Sequence, residues 1–200
     1  MLGMAFFKSL AKQHGMQFFE PVGHALERER IKNFNPLNPA HCFALRNELI
    51  PYAIWRFGKE LAGPDKHHDE LNKIPAILRG HVEFALDMMT EQPLELSGAM
   101  VRHQLRLADR QCLIAEMSQR VQDTVTILVA CMWAARKDDE TYLMAADILC
   151  RDLVRKLTGA RQDDAYIKAC RKLADRILET GFDGIDQPKR FDILFPYDGK

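Results

Sequence analysis

Apolar residues recur along this chain at steps of three and four, and alternation is nearly absent, so the pattern predicts helices over most of its length. A first helix is expected from Leu2 to about Leu26, with Gly15 and Pro21 as weak points. The stretch "KNFNPLNPAHC" holds two Asn–Pro dipeptides and predicts a boundary over Asn33 to Ala40. A second helix follows from about Cys42 to Leu61, with Pro51 starting it anew or kinking it. The polar turn "AGPDKHHDE" ends it, and a third helix over Glu70 to Glu91 is expected to stop before Pro93.

No proline occurs from Glu95 to Asp186, and Glu95 to Arg136 reads as the longest uninterrupted helical pattern. Its expected inward stripe is Leu105, Ala108, Cys112, Ala115, Val121, Val125, Leu128 and Met132, widening at "VTILVACMWAA" into a block apolar on most faces. In the turn "RKDDE", Asp138 or Asp139 is placed to cap the next helix. That helix, Glu140 to Thr158, puts Tyr142, Ala146, Leu149 and Leu153 on one face and ends at Gly159, a residue suited to a left-handed stop. Asp163 or Asp164 opens a last helix with Tyr166, Ala169, Leu173 and Ile177 inward and Gly181 after its end. The fold class is therefore all-α, an antiparallel helical bundle of four to six helices with an irregular C-terminal tail. Phe182, Phe191, Ile193, Leu194, Phe195 and Tyr197 make that tail too apolar to leave in water, so it should pack against something.

Composition narrows the partners more than the fold. In 200 residues, 28 Lys plus Arg balance 28 Asp plus Glu, which is not the electrostatic footprint of a nucleic-acid-binding domain. The longest apolar run, Val125 to Ala135, is shorter than the ~20 residues of a membrane span. Five cysteines, Cys42, Cys112, Cys131, Cys150 and Cys170, are odd in number and lack metal-ligand spacing, so they read as reduced core thiols. Residues 1–19 hold no acid and carry Lys8, Lys12 and His14 among aromatics, which reads as an amphipathic helix; the alternative, an organellar presequence, is disfavoured by the lack of Arg and the single Ser9.

A bundle invites the question of a di-iron carboxylate site, but no Glu-x-x-His pair occurs. The adjacent His67 and His68 fall in a polar turn, and Asp138–Asp139 and Asp163–Asp164 sit where helix caps belong. No Gly-flanked nucleophile and no phosphate-cradling glycine cluster is present, and Trp55 and Trp133 lie on apolar faces expected in the core. No catalytic, cofactor-binding or metal residue is assigned on chemistry alone.

The segment "LIAEMSQRVQDTVTILVACMWAARKDDETYLMAADILCRDLVRKL" carries an "LAD"-like signature at Ile114-Ala115-Glu116, then Asp123, an apolar block, a charged turn and a helix with an alanine-rich face and a cysteine. "RLAD" at Arg106 to Asp109 offers a second register. This order resembles the extra C-terminal helical domain of the very-long-chain branch of the acyl-CoA dehydrogenases. The opening "MLGMAFFKSLAKQHGMQFFEPVGHALE" is similar to the helix that follows the base-bearing loop in that branch, and "PLNPA" to its linker into the added domain.

The resemblance implies oxidation of a fatty acyl-CoA in β-oxidation by a flavoprotein, with a glutamate removing the α proton and FAD accepting the β hydride. It assigns neither the glutamate nor a flavin contact to this chain, which begins just after the expected base-bearing loop. FAD would belong to the complete enzyme, and the chain alone is expected to be inactive. The implied divisions are 1–32, a helix continuing from a dehydrogenase body; 33–40, a linker; 41–181, the appended bundle; and 182–200, an aromatic tail.

In that branch the added domain takes the space of a second dimer, which implies a homodimer, and its base approaches the membrane. The implied partners are a dehydrogenase body or upstream-encoded subunit and a peripheral membrane contact. The location implied is the cytoplasm or inner-membrane surface in a bacterium and the mitochondrion in a eukaryote. The candidate docking or membrane contacts are Phe6, Phe7, Lys8, Lys12, Phe18 and Phe19, with Arg28, Arg30 and Lys32 beside them; the competing reading buries those aromatics against the dehydrogenase body. The competing reading from composition is a free-standing helical protein-interaction module.

Overall fold

The computed structural model describes residues 2–32, 34–35, 37–62, 71–103, 107, 109–137 and 139–182, with side chains from Lys8 onward. Among these residues the protein is all-α, without a strand. Helix α1 (Leu2–His14) runs through a π-turn (Gly15–Phe19) into α2 (Glu20–Arg28). Short α3 (Pro39–Ala44) leads to α4 (Arg46–Ala62), then come α5 (Ala76–His103), α6 (Gln111–Lys137), α7 (Glu140–Thr158) and α8 (Asp164–Thr180).

Local chemistry sets most of the ends. Asn38 accepts from the Ala40 N–H and Pro39 follows it, a favourable start for α3. Asp139 accepts from the Thr141 N–H at 2.7 Å, and Asp163 from the Tyr166 N–H at 2.8 Å. These hydrogen bonds satisfy donors that the first turn of a helix leaves orphaned. Gly159, at φ 72°, sends its N–H back to the Arg155 carbonyl and ends α7 in the left-handed conformation that glycine adopts without strain.

The bundle is built around α5, α6 and α7. One core cluster joins Leu78, Val82 and Ala85 of α5 to Ile127, Cys131 and Ala134 of α6 and Ala146 and Cys150 of α7. Burying a side chain such as Ile127, which has no exposed surface, is worth roughly 1.5–3 kcal/mol. At the other end of α5 and α6, Leu96, Met117 and Val121 form a second cluster with Ala11 of α1 against it. The cross-contacts fix the antiparallel order: Asp123 meets Lys156 while Cys131 meets Cys150, and Tyr166 meets Asp152 while Arg176 meets Thr141.

Several expectations need correction. Pro93 does not stop the third helix, because α5 runs through it to His103. A proline removes one helical hydrogen bond, and Leu96 and Ser97, buried just beyond it, supply packing that holds the helix. The long pattern from Glu95 is not one helix: α5 ends at His103 and α6 starts at Gln111, with the Arg110 N–H bonded back to the Leu107 carbonyl.

On α6 the buried positions are Met117, Ser118, Val121, Asp123, Thr124, Ile127, Cys131 and Ala134, while Cys112, Ala115 and Met132 face outward. Trp133 is 49% exposed, against a T-shaped Tyr142. The "VTILVACMWAA" block is apolar on every side, so its period did not reveal which side the neighbours cover. On α7 the inward face is Thr141, Met144, Ala146, Asp147 and Cys150, and Leu149 is exposed. Cys131 and Cys150 are core thiols as expected, whereas Cys42 and Cys170 are half-buried and Cys112 is exposed. Phe182, the first tail residue, packs on Tyr142; the other tail aromatics, Leu105, Ala108, His67, His68 and Asp138 lie outside the described residues.

Candidate functional site

Candidate contacts on the first helix separate into two groups. Phe6 and Phe7 lie within α1, but their side chains fall outside the described residues. Lys8 and Lys12, one helical turn apart, are exposed. Phe18 is not available for docking, because it is 7% exposed and belongs to the core. Its ring lies 5.0 Å from Trp55 and 5.8 Å from Tyr52 of α4, and half-buried Phe19 lies 5.8 Å from Tyr52.

The cause is the π-turn, in which the Glu20 N–H reaches back five residues to the Gly15 carbonyl. That wider turn directs Phe18 and Phe19, neighbours in sequence, toward the same face of α4. His14 joins them, 5.0 Å from Phe18 and 4.9 Å from Trp55. Burial among these rings lowers the His14 pKa, so the neutral imidazole is favoured. Arg28, the last residue of α2, pairs with Glu48 of α4 at 3.2 Å, and Arg30 just beyond takes a left-handed φ of 56°.

Two further features come together from distant parts of the chain. Helix α4 is apolar on two sides. Leu49, Tyr52 and Trp55 face the protein, as does Leu45 just before the helix, while Ile50, Ile54, Phe57 and Leu61, at steps of four, three and four, are 51–85% exposed. A helix apolar on both sides ordinarily lies between two partners, and the described residues cover one side.

The second feature is a His–Asp–Arg group. His81 Nε2 of α5 donates to Asp147 Oδ1 of α7 at 2.7 Å, and Arg151 Nε donates to Asp147 Oδ2 at 2.9 Å. Burial opposes ionisation of Asp147, but the hydrogen bonds from His81 and Arg151 and the Arg151 charge outweigh it and lower its pKa. The group borders a shallow cleft of about 160 Å³ that Arg155, Arg161 and Tyr166 also line. No serine, threonine or cysteine lines that cleft among the described residues, and what the geometry shows of the His81–Asp147 pair is a tie between helices. It ties α5 to α7, as the 2.8 Å pair of buried Asp123 with Lys156 ties α6 to α7.

Sequence reasoning missed both pairs. His81 and Asp147 are 66 positions apart, and only the Asp147–Arg151 spacing of four left a local trace. Among the described residues no cluster of three or more His, Cys, Asp or Glu is placed to hold a metal ion, and no helix is long and apolar enough to cross a membrane. Comparison with protein-family models, with curated proteins and with solved structures gives no match.

Proposed function

We propose that this chain is the C-terminal helical portion of an FAD-dependent fatty acyl-CoA dehydrogenase, acting in assembly and attachment, with the base and the flavin carried by the dehydrogenase body. The observation that carries the proposal is the outer face of α4. Four large apolar side chains, Ile50, Ile54, Phe57 and Leu61, stand in a row on a 17-residue helix whose opposite side is already packed. A surface of that kind suits a protein partner. The charged turn between α6 and α7 is one of the features on which the resemblance rests.

Co-expression with the reading frame directly upstream tests the proposal, read by light scattering after gel filtration and by flavin absorbance. One complex is expected to elute with bound flavin, and the double substitution Ile54→Glu with Phe57→Glu is expected to release the chain without loss of far-UV helicity. Separate elution of the unaltered chain overturns the proposal, as does flavin or acyl-CoA turnover in the isolated chain. Attachment to lipid is read separately with anionic vesicles: co-sedimentation that Lys8→Glu with Lys12→Glu abolishes is expected, and no sedimentation refutes it.

A further inference from the structure

A cavity of about 320 Å³ lies between α1, α5 and α6, within the size range of small-molecule sites. Its wall is largely aliphatic: Leu10 of α1, Met89 and Leu96 of α5, and Met117, Val121 and Val125 of α6. Of the polar groups on the lining, Gln13 and Gln17 are exposed, and Gln92 and Glu95 have partners. Gln92 donates to Thr124 Oγ1 at 2.8 Å, and Glu95 is paired with Arg120 at 3.5 Å.

His14 differs from all four in having a buried polar atom that is unpaired. It lines the cavity, and its Nε2 is buried without a hydrogen-bond partner among the described residues. A buried polar atom left unpaired is costly, so this nitrogen calls for a partner. Backbone irregularity gathers at the same place. The π-turn begins at Gly15, the residue after His14, and Pro93, which lines the cavity, deprives the Met89 carbonyl of its helical donor. Single π-turns within α-helices are frequent at functional sites.

We propose that this cavity binds an uncharged apolar molecule carrying one hydroxyl group, with the hydroxyl paired to His14 Nε2 and the hydrocarbon against the aliphatic wall. A hydroxyl both donates and accepts, so it satisfies Nε2 in either tautomer of the neutral ring. A carboxylate would enter beside Glu95 with no Lys or Arg on the described lining to meet it, and a bare hydrocarbon would leave Nε2 unpaired. The site stands apart from the acyl-CoA dehydrogenase proposal, and neither depends on the other.

Trp55, 4.9 Å from the His14 ring, is a built-in reporter, and replacing the half-exposed Trp133 with Phe leaves it as the sole tryptophan. Fluorescence titration of the full chain with octanol, octane and octanoate tests the assignment. A saturable response to octanol is expected, with octane and octanoate each at least about tenfold weaker. His14→Phe should weaken octanol about tenfold, and Val125→Phe, which fills the cavity, should abolish the response. The absence of a saturable octanol response means a cavity holding water only and overturns the proposal, as does equal binding of octane and octanol. Should either variant fail to fold, the three-ligand series on the otherwise unaltered chain still decides.

Discussion

Replacing Asp147 with Asn tests whether the His81–Asp147–Arg151 group stabilises the fold. The carboxylate is 3% exposed and accepts at 2.7 Å from His81 and at 2.9 Å from Arg151. In D147N the amide oxygen can still accept from His81, but an amide NH2 then faces the Arg151 guanidinium. One charge-assisted hydrogen bond is lost, worth roughly 1.5–3 kcal/mol. Arg151 is 38% exposed, and solvent screening places the expected loss in the lower half of that range, about 1.5–2 kcal/mol.

The pH dependence has a definite sign. The folded pKa of Asp147 lies below its ordinary value, so between the two the unfolded chain binds more protons and stability rises with pH. The stabilisation is therefore complete above the unfolded pKa of about 3.9 and is lost as pH falls through the folded value. Urea unfolding at pH 7 should show the full deficit in D147N with an unchanged slope, and the gap to the parent should shrink at pH 3. A variant within about 0.5 kcal/mol of the parent at pH 7, or a gap that does not shrink in acid, refutes the reasoning.

Three other outcomes follow from the packing. Ile127→Ala, at a position with no exposed surface between α5 and α7, should cost about 2–5 kcal/mol in chemical denaturation, while Val129→Ala on the outer face should cost less than about 1 kcal/mol. Asp163→Ala removes the 2.8 Å cap of α8 and should lower stability by about 0.5–2 kcal/mol, with Asp163→Ser restoring most of it; equal stability of the two variants counts against the cap. A disulfide reagent should modify Cys112 promptly in the folded protein and reach Cys131 and Cys150 only on unfolding, and rapid modification of either buried thiol contradicts their position in the core.

The all-α class and most helix ends were legible because caps are local: Asp139, Asp163, Gly159 and Gly181 sit where their own neighbours in sequence demand them. What escaped depends on partners far along the chain. The inward face of α6 could not be read because Val125 to Ala135 is apolar in every direction, and its neighbours alone select Ile127, Cys131 and Ala134 over Met132 and Trp133. The His81–Asp147 and Asp123–Lys156 pairs are visible only once α5, α6 and α7 are packed. The docking residues split for a similar reason. The grouping of Phe18 and Phe19 with Lys8 and Lys12 came from the resemblance, and the π-turn at Gly15, an expected weak point of the helix, sets the two rings against α4.

The two ends of α5 and α6 are built differently. Around Leu78, Val82, Ile127 and Cys131 the helices are regular, the interior is aliphatic and the flanking charges are paired. Around Leu96, Met117 and Val121 the same helices meet α1 across a cavity, and each departure from regular helix near it carries an energetic cost. A proline inside a helix costs about 3 kcal/mol or more before tertiary packing offsets it. A buried unpaired nitrogen costs about 1–3 kcal/mol. Pro93, the π-turn and His14 Nε2 all border one space, and Pro93 is also where the helical pattern misled. Local rules fail most often where something besides packing sets the geometry, so the α1 end of the bundle is where a ligand belongs, while the α7 end serves to hold the helices that frame it.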